Sequence, residues 1–277
     1  MNSESYEEKA TRVAEIFRKE REGTTGYDNL LSFGASIDPD YWEAYRYNGW
    51  GFFTPQNKRH LDHMTREMIV CGVLSFRDRP GVYVHAKNAL KEGATLNQLL
   101  EVFEVALFPG GGPSRMVRLE TLKRIVDEDP SLVVEKRPWR FDAEEVARNV
   151  PEKETREEKI KRVTETIEKA NGYVDEAISF GVELDPDYFD IYSRMHWSFF
   201  EEKEGFLTPI QRELIVMAVF AFRGFREELY FHSKKALRLG ASMEQLLECF
   251  QVCVPPGGIA LLHEGLRTLK KIHDEAE

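Results

Sequence analysis

Two acid–histidine combinations stand out as groups able to move a proton: Glu67 with His85, and Glu213 with His232. A carboxylate that orients an imidazole makes an acid/base pair working near neutral pH. Each glutamate follows an arginine (Arg66-Glu67, Arg212-Glu213) inside a run of apolar residues. A charge there is costly unless it is paired. Two arrangements satisfy that cost. Either glutamate and histidine face each other, or Glu67 pairs with Arg66 or another helix and His85 is a hydrogen-bonded core residue. A Pro/Gly break follows each set, at Pro109-Gly110-Gly111-Gly112-Pro113 and Pro255-Pro256-Gly257-Gly258.

The elements that must position these groups read as helices. Apolar residues fall at three and four spacings in 64–74 and 214–222, which predicts buried helices. A short turn, RDRPG at 77–81 or RGFR at 223–226, leads to the helix carrying the histidine. Consecutive helices joined this way lie antiparallel. Glu67 is ten residues before Arg77 and His85 eight after it, so each is about 12–15 Å from the turn at about 1.5 Å per residue. The pair can therefore meet side by side. The histidine helices end at Gly93 and Gly240, suited to left-handed C-caps. Thr95 with Gln98, and Ser242 with Gln245, read as capping boxes opening the next helix. No convincing strand alternation occurs.

The resemblance between the two sets extends over most of the chain. SFGASIDPDYWEAY (32–45) recurs as SFGVELDPDYFDIY (179–192), TREMIVCGVLSFR (65–77) as QRELIVMAVFAFR (211–223), and VHAKNALKEGATLNQLLEVF (84–103) as FHSKKALRLGASMEQLLECF (231–250). RLETLKRI (118–125) returns as GLRTLKKI (265–272). Four blocks in one order at a nearly constant offset mark a duplicated domain. The expected organisation is an all-α chain: a first domain over 1–126, a charged, Pro-containing linker over 127–158, and a second domain over 159–277. Each copy is expected to hold about six helices, packed as a pseudo-dimer. One short helix is expected after Phe141 in the linker, with Trp139 and Phe141 pinning it.

Bulk properties exclude other classes. Of 277 residues, 48 are acidic and 38 basic, a net charge of −10, which argues against nucleic acid or anionic membrane as a partner. No apolar run approaches the length of a membrane span, and no signal-peptide core is visible, so the expected compartment is cytoplasmic. Three cysteines, Cys71, Cys249 and Cys253, read as reduced, packed thiols. The seven histidines show no metal-ligand spacing, His60, His63 and His263 have no counterparts in the other copy, and no phosphate-binding loop is present.

LTPIQRELIVMAVFAF, ELYFHSKKALRLGAS and QLLECFQVCVPPGG in 207–258 resemble the carboxymuconolactone decarboxylase / AhpD-like family, and the likeness runs from Leu207 to about Leu269 and from Leu61 to about Leu122. Trp50-Gly51 resembles the Trp-Gly preceding that core in the decarboxylases, with Trp197 in the second copy. The resemblance implies two tandem AhpD-like helical bundles, a site without metal or cofactor, and a small organic acid or lactone as substrate. Glu67, His85, Glu213, His232 and Glu228 would be its acid/base groups. Arg66 and Arg212 would hold a substrate carboxylate, with Trp50 and Trp197 lining the site. Peroxidase members carry Cys-x-x-Cys before the histidine. Here those positions are Asp78 and Gly81, and Phe225 and Glu228, so a thiol peroxidase is not expected. The decarboxylases' histidine and tyrosine before the break are Val105 and Pro109, and Val252 and Pro256, which leaves the muconolactone substrate itself open.

These readings lead to a cofactor-independent lyase, decarboxylase or isomerase; the alternative is a non-catalytic ligand-binding or assembly protein of the same fold. A homo-oligomer is expected. The second copy is expected to be the better site, because Glu228 lies one turn before His232 and favours its charged form.

Overall fold

A computed structural model describes residues 4–20, 27–47, 59–77, 79–111, 115–132, 153–200 and 205–275. Every regular element among them is a helix. The first copy contains α1 (Tyr6–Glu20), α2 (Tyr27–Ile37), α3 (Pro39–Arg46), α4 (His63–Leu74), α5 (Arg79–Lys91), α6 (Leu96–Gly110) and α7 (Arg115–Glu128). The second contains α8 (Arg156–Asn171), α9 (Glu176–Leu184), α10 (Pro186–Phe200), α11 (Pro209–Arg223), α12 (Arg226–Arg238), α13 (Met243–Val252), the single turn α14 (Val254–Gly257) and α15 (Ile259–Asp274). The copies thus hold seven and eight helices among the described residues, not about six, because the 32–45 and 179–192 blocks each form two helices. Asp38 and Asp185 mark the joints, each followed by a proline that opens the next helix.

The helix signals act where the sequence put them. Gly93 and Gly240 adopt φ of 98° and 100°, a region side chains with a Cβ avoid. Both capping boxes form, Thr95 with Gln98 and Ser242 with Gln245, and two more form at Thr155–Glu158 and Thr208–Gln211. Asp62 does the same job alone for α4, accepting from the Thr65 N–H at 2.8 Å.

Helix reaches into both ends of the segment read as linker. α7 continues to Glu128, supported by i,i+4 pairs Lys123–Asp127 and Arg124–Glu128. α8 begins at Arg156 on its Thr155 cap. Trp139, Phe141 and the short helix expected there lie outside the described residues.

The copies share one apolar core. Met68, Ile69 and Val73 of α4 and Leu99 and Val102 of α6 belong to the same buried cluster as Leu214, Ile215 and Met217 of α11 and Leu246 and Phe250 of α13. α4 packs on α5 within its copy and on α11, α13 and α14 across the copies. A smaller cluster, Val13, Phe17 and Ala35 with Trp42, holds α1, α2 and α3 together. Among the described residues no helix is long and apolar enough to cross a membrane.

Candidate active site

α4 and α5 run antiparallel and place His85 beside Glu67, Nδ1 bonding Oε2. In the second copy His232 Nδ1 lies 2.6 Å from Glu213 Oε2. All four side chains are buried. A carboxylate only accepts, so Nδ1 carries the proton in each bond and the ring's other nitrogen, Nε2, is turned away from the glutamate. Of the two arrangements open from the sequence, the glutamate–histidine pair is the one present, in both copies.

The second oxygen of each glutamate meets a different group. Glu67 Oε1 lies 3.2 Å from Nε2 of His63, whose Nδ1 is 3.2 Å from Glu92 Oε1. Glu213 Oε1 lies 2.9 Å from Lys235 Nζ. These partners are unrelated in the repeat: Pro209 stands at the His63 position and Asn88 at the Lys235 position. His63 and Lys235 are site residues the sequence reading did not find. For His63 the signal was present, since it is four residues before Glu67 and so on the same helical face. Lys235, three after His232 and next to Lys234, is not distinguishable from a surface lysine by spacing.

Burial would push the Glu67 carboxyl up, but the charges of His85 and His63 outweigh it and hold it at about 2. Glu213 is likewise lowered, against its burial, by His232 and Lys235. Both are carboxylates at neutral pH. His63 is shifted the other way: its bond to Glu67 raises its pKa, against partial burial and with Glu92 adding to the effect.

Glu228 Oε2 lies 4.0 Å from His232 Nε2 and accepts the Tyr173 hydroxyl at 3.0 Å. The Tyr173 ring stacks on Phe231, and Phe220 lies against the His232 ring with centroids 5.3 Å apart. Gly81 holds the place that Glu228 has in the second copy.

Arg66 and Arg212 turn away from the histidines and cross to the other copy. Arg212 Nε lies 2.6 Å from Glu101 Oε1, and Glu101 Oε2 also accepts the backbone N–H of Phe206 (2.6 Å) and Leu207 (3.3 Å). The reciprocal contact sets Arg66 Nε 3.8 Å from Glu248 Oε1, while Glu248 Oε2 accepts from the N–H of His60 (2.8 Å) and Leu61 (3.4 Å). Each of the two arginines expected to hold a substrate carboxylate is thus buried against a carboxylate of the protein itself. An internal partner satisfies the same charge that an acid substrate would. Gly205 makes the tighter contact possible, since a Cβ there would stand 1.5 Å from Arg212 Nη2. Arg59 occupies the Gly205 position in the first copy and lies 3.9 Å from Glu248.

Trp50 lies outside the described residues; Trp197 is in α10, in its undescribed side-chain stretch. Asp78 is also outside them. The three thiols are buried, and burial pushes each upward. Cys249 donates to the Leu214 carbonyl at 3.2 Å. Among the described residues no group of three or more His, Cys, Asp or Glu side chains is arranged to hold a metal ion.

Comparison with known proteins agrees with this architecture. The model of the carboxymuconolactone decarboxylase family matches residues 39–123 and 186–271, more than half of the chain and once in each copy. The crystal structure of a candidate gamma-carboxymuconolactone decarboxylase subunit from Burkholderia xenovorans LB400 superposes with a TM-score of 0.58 at 24% identity, covering 95% of this chain and 98% of that one. No curated protein matches. The repeated helical core and the two family matches make this chain a tandem, two-repeat member of the carboxymuconolactone decarboxylase family.

Proposed function

We propose that the chain is a cofactor-independent lyase or isomerase acting on a small organic acid or lactone, with His85 and His232 carrying protons and Glu67 and Glu213 orienting them. The observation that supports this reading is the buried carboxylate on Nδ1 in both copies. A histidine held this way presents Nε2 as a fixed acid or base. In a decarboxylation, the bond from carbon to the leaving carboxylate breaks and its electron pair stays on the substrate as an enolate. The imidazolium Nε2–H then delivers a proton to carbon, carbon dioxide leaves, and the neutral ring regains a proton from solvent. In an isomerisation the ring takes a proton from one carbon and returns it to another.

Glu228 is proposed to assist His232, since its carboxylate stands near Nε2 and is steadied by Tyr173. Trp50 and Trp197 are proposed to line the binding site on the sequence pattern alone. Exposed apolar side chains recur at matching positions, Phe33, Ile37 and Tyr41 in one copy and Phe180, Leu184 and Tyr188 in the other, and give the proposed homo-oligomer a surface to use.

The test is a panel of lactones and β-keto or γ-carboxy acids, scored for carbon dioxide release and for ultraviolet change. His85→Asn, His232→Asn and the double variant are compared after thermal melts confirm folding. The double variant should lose turnover by at least about 100-fold, the range of general acid–base catalysis. A greater loss in His232→Asn would rank the second site higher. Full turnover in the double variant refutes the assignment. Ligand binding with no turnover in any form favours the non-catalytic reading.

A further inference from the structure

The two glutamates that hold the histidines are themselves held by chemically different cations. A lysine ammonium is charged throughout the neutral range. An imidazole loses its charge near neutrality. His63 sits on the first turn of α4 one helical turn before Glu67, and its side chain is only 16% exposed. Its Nδ1, itself buried, faces Glu92, just past the end of α5, whose side chain is 34% exposed.

Among the described residues the charged surroundings of His63 are few. From its own helix it meets Glu67, with Asp62 capping the same turn and Arg66 one residue before Glu67. From α5 and its end come His85, on the far oxygen of Glu67, and Glu92. From the other copy, Glu248 of α13 approaches Arg66, with Arg59 beside it. Two carboxylates therefore face the His63 ring directly, and both favour its charged form.

We propose that His63 is a positioning residue that makes the Glu67–His85 pair responsive to pH, whereas Lys235 makes the Glu213–His232 pair indifferent to it. With His63 charged, Glu67 lies between that cation and the Nδ1–H of His85, and its negative charge is shared. With His63 neutral, that charge is left to His85 alone. The proton itself comes from or returns to solvent by way of Glu92, the more exposed of the two. Titrations of groups this close are coupled, so a change at His63 is read at His85 through the one carboxylate they share.

The experiment is histidine side-chain NMR on the full chain, following the His63 ring and the downfield Nδ1–H resonances of His85 and His232 from pH 5 to 9. It needs no substrate, so it can fail while the proposed activity stands, and the reverse. The His85 Nδ1–H resonance is expected to step at the pH where the His63 ring titrates, and that of His232 to pass the same pH without a step. His63→Gln should remove the step. Glu92→Gln, a change at a partly exposed side chain, should move both the His63 midpoint and the step to lower pH together. A His85 resonance that does not follow His63 in the parent protein, or that keeps its step in His63→Gln, overturns the proposal. So does a Glu92→Gln variant in which the two separate. Where a substrate is in hand, His63→Gln, which keeps a hydrogen-bond donor, should recover the KM lost in His63→Ala but not the pH profile of the first site.

Discussion

Removing Glu101 should be among the most damaging single substitutions in the protein. Its carboxylate is the partner of the Arg212 guanidinium and the acceptor for two backbone N–H groups, those of Phe206 and Leu207. Arg212 is 3% exposed. Glu101→Ala strands a buried charge and two donors together, and breaking such a pair from one side costs about 3–5 kcal/mol. Each unmet donor carries a further penalty on the order of 1–3 kcal/mol, not simply additive. We therefore expect a loss of about 4 kcal/mol for Glu101→Ala, measured by urea denaturation. Glu248→Ala should cost less, about 2 kcal/mol, because Arg66 Nε stands 3.8 Å away and the loss is mainly that of the acceptor for two N–H groups. Adding Arg212→Leu to Glu101→Leu should recover stability, since the stranded charge is gone although the N–H groups still lack an acceptor. Equal losses at Glu101 and Glu248, or no recovery in the double variant, would refute the reasoning.

Acid titration gives a second prediction. Glu67 is held at about 2 against an ordinary value of 4.5, so the stability it contributes is present above 4.5 and is lost as pH falls toward 2. The stability difference between parent and Glu67→Gln should shrink across that window in urea melts at stepped pH. The contribution of His63 runs the opposite way: with its pKa raised, it is full below about 6.5 and fades as pH rises through the higher folded value. Glu92→Gln should reduce stability more at pH 6 than at pH 9. The thiols should be silent in the native protein. An aromatic disulfide reagent is expected to react with Cys71, Cys249 and Cys253 only at the rate of unfolding, and a triple Cys→Ser variant should keep any turnover. Rapid labelling or thiol-dependent peroxide reduction would contradict the buried environment.

The helices and their ends were legible because the signals are local: a capping box at Thr95 or a left-handed glycine at Gly93 depends on neighbours three or four residues away. The Glu67–His85 and Glu213–His232 meetings were legible for a related reason, since a short turn between antiparallel helices leaves little freedom in register. The fate of Arg66 and Arg212 was not. Their carboxylates come from 182 and 111 residues away in sequence, and only the packing of α4 and α11 against the opposite copy brings them near. The choice of Lys235 over Lys234 as the partner of Glu213 has the same origin, because adjacent helical positions point about 100° apart and only the packed neighbour decides which one is inside.

The reciprocal arginine–glutamate contacts carry a consequence for how the molecule holds together. Two identical chains meeting on a twofold axis would make this contact twice, with equal geometry, and dilution would separate them. Within one polypeptide the partners stay at a high effective concentration whatever the amount of protein in the cell. Equality is then no longer enforced, because each half answers to its own sequence. The two sides have drifted accordingly: Arg212 closes to 2.6 Å beside Gly205, while Arg66 stands at 3.8 Å with Arg59 crowding the same carboxylate. Fusion thus converts a symmetric assembly into a chain whose halves are free to specialise, one able to stay a firm clamp while the other loosens.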